Sequence, residues 1–178
     1  KTSASIIAVG KKGRDFMART GQNVKAVFTD LSDHPTLADV TPIARLVIDD
    51  YTSKGVDAVH LVYAQFIGTT IQRPVVIPLL PVVPAELKRD EAVGYIYEPS
   101  SRVVMEALLP RFVEMQIYHA VLESVASEQS ARMVAMRNAT DNASEMVEDL
   151  TLVMNKARQE AITTELLDIV GGATAIEA

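Results

Sequence analysis

Between residues 101 and 170 the chain contains no glycine and a single proline, Pro110. Glycine and proline are the residues that most readily stop or kink a helix, so almost nothing in this stretch tells a helix to end. Pro99 and Ser100, just before it, form a helix start. About seventy residues of α-helix at about 1.5 Å rise per residue reach roughly 105 Å, whereas an ordinary helix is about a dozen residues long. A chain of 178 residues has no interior able to cover such an object. The alternative is a helical hairpin turning near Asn138, Asp141 and Asn142, which lower helix propensity. No Gly or Pro marks a turn there, and one continuous helix is the better reading.

Its spacing is the strongest signal in the chain. Leu108, Phe112, Met115, His119, Leu122, Ala126, Gln129, Met133, Met136, Thr140, Ala143, Val147, Leu150, Met154, Ala157 and Ala161 follow one another at alternating steps of four and three. That is the a/d seam of a left-handed coiled coil, and it implies a partner helix. The large apolar positions are Leu108, Phe112, Met115, Leu122, Met133, Met136, Val147, Leu150 and Met154. Ala126, Ala143, Ala157 and Ala161 permit close approach, and His119, Gln129 and Thr140 are polar where a static zipper favours Leu or Ile. Val121, Val134, Leu152 and Ile162 widen the apolar stripe.

Residues 1–99 follow a different pattern. Strands are predicted at 5–9, 24–28, 59–62 and 75–79, with Ile7 and Val62 pointing inward. A brief helix begins after Gly10 and is stopped by Gly21. Leu37, Val40, Ile43, Ala44, Val47 and Ile48 stand at helical spacing, closed by Gly55. Pro74, Pro78, Pro81 and Pro84 confine the last strand to an edge or an extended exit. Short strands alternating with helices point to an α/β layer with at least three largely parallel strands. The domains read as 1–99, an α/β globular domain, and 100–178, a long helix and its tail.

Several function classes drop out. A net charge of −6 argues against nonspecific nucleic-acid binding, which needs clustered Lys and Arg on phosphates. With four Phe, five Tyr and no Trp, a base-stacking platform has little material. The absence of cysteine excludes disulfides and thiolate metal sites. The longest apolar stretch, 74–85, carries four prolines and is too short to span a bilayer, so direct membrane insertion is not expected. Gly10 and Gly13 stand where phosphate-binding loops sit, but match neither common fingerprint; a tight turn is the better reading. His34, His60 and His119 are too dispersed to hold a metal. Glu123, Glu128, Glu145, Glu148 and Asp149, with Arg132, Arg137, Lys156 and Arg158, form a mixed solvated or subunit-facing surface. No catalytic, cofactor-binding or metal-ligating residue is expected, and no cofactor.

The run from "LLPRFVEMQIYHAVLESVASEQSARMVAMRNATDNASEMVEDLTLVMNKARQEA" into "ITTELLDIVGGATA" resembles the carboxy-terminal helix of the gamma-subunit family of F-type ATP synthases. Ile162, Thr163, Glu165, Asp168, Gly172 and Ala173 occupy that family's marked positions. The first half agrees more loosely, in "VYAQFI", "LLPV" and "YEPS". The resemblance implies an α/β domain with an incomplete, mostly parallel sheet and flanking helices. After it comes a very long helix that forms an antiparallel coiled coil with an amino-terminal helix. That helix, the following strand and a glycine-rich segment have no counterpart here, where Lys1 falls inside the α/β domain. The sheet is therefore expected to lack its first strand, and the long helix its partner.

By the same resemblance the protein is a non-catalytic central-stalk rotor. The implied partners are the alpha and beta subunits that ring the shaft, the epsilon subunit, the membrane ring of c subunits and the missing amino-terminal helix. The implied role couples ion flow through the membrane ring to ATP synthesis or hydrolysis by rotation. Arg158, Gln159 and Glu165 fall where the shaft meets its surrounding subunits. The implied location is a peripheral membrane complex on the cytoplasmic face of a bacterial inner membrane, or the matrix or stroma side in an organelle. A static coiled-coil scaffold with an α/β adaptor domain is the alternative, and a small nucleotide-binding enzyme stands behind it.

Overall fold

A computed structural model describes residues 4–29, 31–83 and 97–176, with side chains to residue 172. Pro84 lies outside the described residues. The elements run β1 (Ile6–Val9), α1 (Lys11–Arg19), β2 (Val24–Phe28), α2 (Leu37–Thr52), β3 (Val59–Gly68), β4 (Ile71–Leu80) and α3 (Ser101–Ile176). The chain divides into two units, Lys1–Ser130 and Ala131–Ala178. The second unit is the later part of α3 and its end.

The first unit opens with a β-α-β turn of chain. β1 and β2 pair in parallel, Ile7 beside Ala26 and Val9 beside Phe28, with α1 as the crossover. Gly10 sits at the start of α1 with φ 98, a backbone conformation that side chains with a Cβ rarely adopt. Its N–H donates to the carbonyl of Phe28 at 2.8 Å, so the turn is tied to the strand pair. Gly21, with φ 68, ends the helix as expected. α2 opens on Thr36, whose N–H and hydroxyl both donate to the Asp39 carboxylate at 2.8 Å. This is the returning half of a capping box. These bonds, the backbone one first, hold the Asp39 carboxyl below its ordinary value.

The helical spacing read along α2 becomes its buried face: Val40, Ile43, Ala44 and Val47 pack with Leu79 and Leu80 of β4 and with Val113 and Ile117 of α3. Val40 is fully buried. Pro42 and Pro110 lie inside α2 and α3, and both helices run through them. Lys25 on β2 pairs with Asp50 on α2.

The α/β class stands, with one correction in its pairing. The described strands form two two-stranded sheets, not one mostly parallel sheet, and β3 pairs with β4 antiparallel. The reason is the loop. Only Thr69 and Thr70 separate the two strands, and so short a link can join antiparallel strands alone, since a parallel pair needs a crossover of a dozen residues or more. Both strands also run longer than expected. Within the ladder, Pro74 stands opposite Ala64 and Pro78 opposite His60. Proline has no N–H to give, so both prolines occupy positions whose backbone nitrogens face away from β3. That is the edge placement their number implied.

Alternation along β3 runs opposite to the expectation at one residue. Val62 faces out and is 73% exposed, while Leu61 packs against the core. Ile7, by contrast, is half-buried against that core. Ile43→Ala is expected to cost about 2–5 kcal/mol through the cavity it leaves. Val62→Ala is expected to stay within about 0.5 kcal/mol, as surface changes do. Chemical denaturation of both variants checks this; equal midpoint shifts would contradict the burial described.

Candidate functional site

Helix α3 carries two side-chain stripes, and only one of them is covered by the rest of the first unit. Val113, Ile117 and Ala120 are buried, and so are Ser127 and Ser130 further along the same face. Successive helix residues are about 100° apart, so this stripe lies roughly one residue around from the seam at Phe112, Met115, His119 and Leu122. Polar groups finish it. Glu114 is buried, accepts a hydrogen bond from the Thr41 hydroxyl of α2 and pairs with Arg111 at 3.5 Å. The Tyr118 hydroxyl donates to the carbonyl of Pro35 at 3.4 Å.

Beyond Ala120 the stripe meets the β3–β4 hairpin. The Phe66 N–H donates to the Glu123 carboxylate at 3.4 Å, the Ser127 hydroxyl donates to the carbonyl of Ala64 at 3.1 Å, and the Ser130 hydroxyl donates to that of Thr69 at 2.8 Å. Burial, and then the nearby Glu123 charge, push the Tyr63 hydroxyl above its ordinary value. Glu123 was expected on a solvated or subunit-facing surface; it is half-buried against β3 instead. Sequence reasoning passed over Ser127 and Ser130 because serine carries no apolar signal. Their i, i+3 spacing, continuing the row of Ala120, was the available clue.

The seam stripe is left open. In the first unit Leu108, Phe112 and Met115 are exposed, Leu108 by 54%, and Leu122 is half-buried. His119 is exposed, with its ring tilted against Tyr118. In the second unit Met133, Met136, Val147, Leu150 and Met154 are each more than half exposed. Arg158, Gln159 and Glu165 are exposed as well. Thr163, one turn on from Gln159, donates its hydroxyl to the Gln159 carbonyl at 2.8 Å. Leu166, Leu167, Ile169 and Val170 make the end of α3 apolar and exposed around its circumference.

Among the described residues no group of His, Asp and Glu could hold a metal ion, and no helix is long and apolar enough to cross a membrane. The amide of Gly10, which a phosphate loop would aim at its ligand, is engaged by Phe28.

The site is thus a long helix with one stripe covered by an α/β unit and a second, largely apolar stripe exposed. A family model described as ATP synthase matches residues 1–176. The ATP synthase gamma chain of Dehalococcoides mccartyi is 58% identical over 176 residues, covering 99% of this chain and 62% of that one. That of Roseiflexus castenholzii is 53% identical, covering 99% and 61%. Among solved structures, a chain of the Euglena gracilis mitochondrial ATP synthase, captured as OSCP/F1/c-ring in rotational state 3, has a TM-score of 0.63 at 23% identity. It covers 99% of this chain and 63% of that one, and shows the shared fold. The chain belongs to the gamma-subunit family of F-type ATP synthases. It spans about three fifths of the length of the curated relatives it matches.

The open seam generates a direct expectation. Each large apolar side chain left in water forgoes about 1.5–3 kcal/mol of burial, and an uncovered helix is marginal in water. Residues 1–178 alone are expected to self-associate. Met136→Asp, which places a charge in the seam, reduces that association, whereas Glu145→Gln on the opposite face leaves it unchanged. Light scattering with circular dichroism checks this; a monodisperse, fully helical monomer indifferent to Met136→Asp would contradict the seam.

Proposed function

We propose that this chain is part of the non-catalytic rotor subunit of an F-type ATP synthase, its long helix serving as the shaft of the central stalk. The observation that carries the reading is α3 itself. It is continuous from Ser101 to Ile176, with seam side chains exposed at Phe112, Met136 and Leu150, in a chain of the gamma-subunit family.

In this reading the seam from Leu108 to Met154 packs against an antiparallel amino-terminal helix of the full-length subunit. A coiled coil supplies the bending and torsional stiffness a shaft needs, and small residues such as Ala126, Ala143 and Ala157 let the two backbones approach closely. Residues 1–99 form the globular foot, and 100–178 the shaft and its tip. The partners are the alpha and beta subunits around the shaft, with the epsilon subunit and the ring of c subunits at the foot. Rotation driven by ion flow through that ring carries the beta subunits through their nucleotide states. The subunit works as a peripheral member of the membrane complex, on the cytoplasmic face in a bacterium.

The shaft must touch successive neighbours without binding any of them permanently. Exposed pairs of long polar side chains contribute only about 0–1 kcal/mol each, which suits contacts that are made and released in every turn. Arg158, Gln159 and Glu165 are exposed residues of this kind, and they are the subunit contacts in this reading. The test is Arg158→Ala in the full-length subunit within a reconstituted complex. ATP-driven ion pumping or ATP turnover is expected to fall while the melting of the isolated full-length subunit stays unchanged. Equal hydrolysis and equal pumping in variant and parent would contradict the assignment of Arg158.

A further inference from the structure

Strand β3 has two edges, and α3 stands at the second. In the antiparallel ladder the prolines of β4 fall opposite His60 and Ala64. The pairs that exchange hydrogen bonds therefore run through Leu61, Tyr63 and Gln65, because proline cannot donate. The backbone groups of Ala64 and Phe66 then point away from β4. The carbonyl of Ala64 and the N–H of Phe66 are the two groups that one residue of a parallel third strand would engage. Here Ser127 donates to the first at 3.1 Å and Glu123 accepts from the second at 3.4 Å. Ser130 donates to the carbonyl of Thr69, in the hairpin turn, at 2.8 Å. Gln72 steadies the same carbonyl from within the hairpin at 3.2 Å.

Buried hydroxyls are seldom placed without a partner, and Ser127 and Ser130 are 3% and 8% exposed. Alanine would satisfy the packing of this stripe, as Ala120 does. The hydroxyls and the carboxylate add direction: they tie the hairpin to α3 at fixed points along both elements, which apolar contact alone does not do.

We propose that Glu123, Ser127 and Ser130 form a grip, a side-chain substitute for a third strand, through which the β3–β4 hairpin and α3 turn as one body. The inference rests on the rotor reading and deepens it. Torque that enters at the globular foot reaches the shaft through these bonds, and a foot that slipped on the helix would waste part of each step. The three act as positioning residues, through the hairpin backbone groups they hold.

The experiment uses the full-length subunit carrying Ser127→Ala with Ser130→Ala, assembled in the complete ATP synthase. Two quantities are read: amide hydrogen exchange across residues 64–71, and ions pumped per ATP hydrolysed. The loss of a buried hydrogen bond is expected to speed exchange in the hairpin by about tenfold, and the pumping ratio is expected to fall by about half. Ser130→Thr, which keeps the hydroxyl, retains the parent exchange and ratio. Ser144→Ala is the matching control. Ser144 is exposed, its hydroxyl donates to the Thr140 carbonyl of its own helix at 3.0 Å, and its removal changes neither reading.

Parent-like exchange in the double variant overturns the grip. Faster exchange with an unchanged pumping ratio overturns its role in transmission. If the parent complex itself fails to pump with this subunit in place, the rotor reading fails, and the exchange measurement, which needs no turnover, still decides whether the grip exists.

Discussion

An α-helix satisfies its own backbone but cannot bury its own side chains, and everything else in this protein follows from having 76 consecutive residues in one. Burial has to come from neighbours laid alongside. In the first unit those neighbours are α2 and the β3–β4 hairpin, which take the stripe Val113, Ile117, Ala120, Ser127 and Ser130. The seam stripe has no covering element among the described residues. A long helix with an uncovered apolar stripe is marginal by itself in water.

The hairpin solves a second problem at the same time. An exposed strand edge invites pairing with other chains. On β4, Pro74 and Pro78 take donors away from the outer edge; on β3, Glu123 and Ser127 occupy the groups that a further strand would use. One edge is stripped and the other is covered by α3. The same bonds that protect the edge tie the hairpin to the helix.

Much of this was legible in the sequence, for definite physical reasons. The absence of breakers marked out the long helix, and the four-three spacing marked out a stripe whose large apolar residues are mostly exposed, because helix periodicity is a local property. The buried face of α2 followed from Val40, Ile43, Ala44 and Val47 in the same way. The orientation of the β3–β4 pair was less visible: a rule drawn from alternating strands and helices outweighed a two-residue gap at Thr69 and Thr70 that demands a hairpin. Val62 was placed inward because β-branched runs read as buried, although the register puts Leu61 there. Ser127, Ser130 and Glu123 could not be singled out, since their importance comes from β3 backbone groups about sixty residues away in the chain. The roles proposed for Arg158, Gln159 and Glu165 rest on family resemblance, as their exposed side chains carry no local sign of a partner.

The central claim is that this helix is a single shaft inside a ring, and subunit stoichiometry tests it most directly. Native mass spectrometry of the complex purified from its source should give one copy of the full-length subunit for three beta subunits. A complex holding equal numbers of the two, or a purified assembly of this subunit with itself and no ring, would contradict the account.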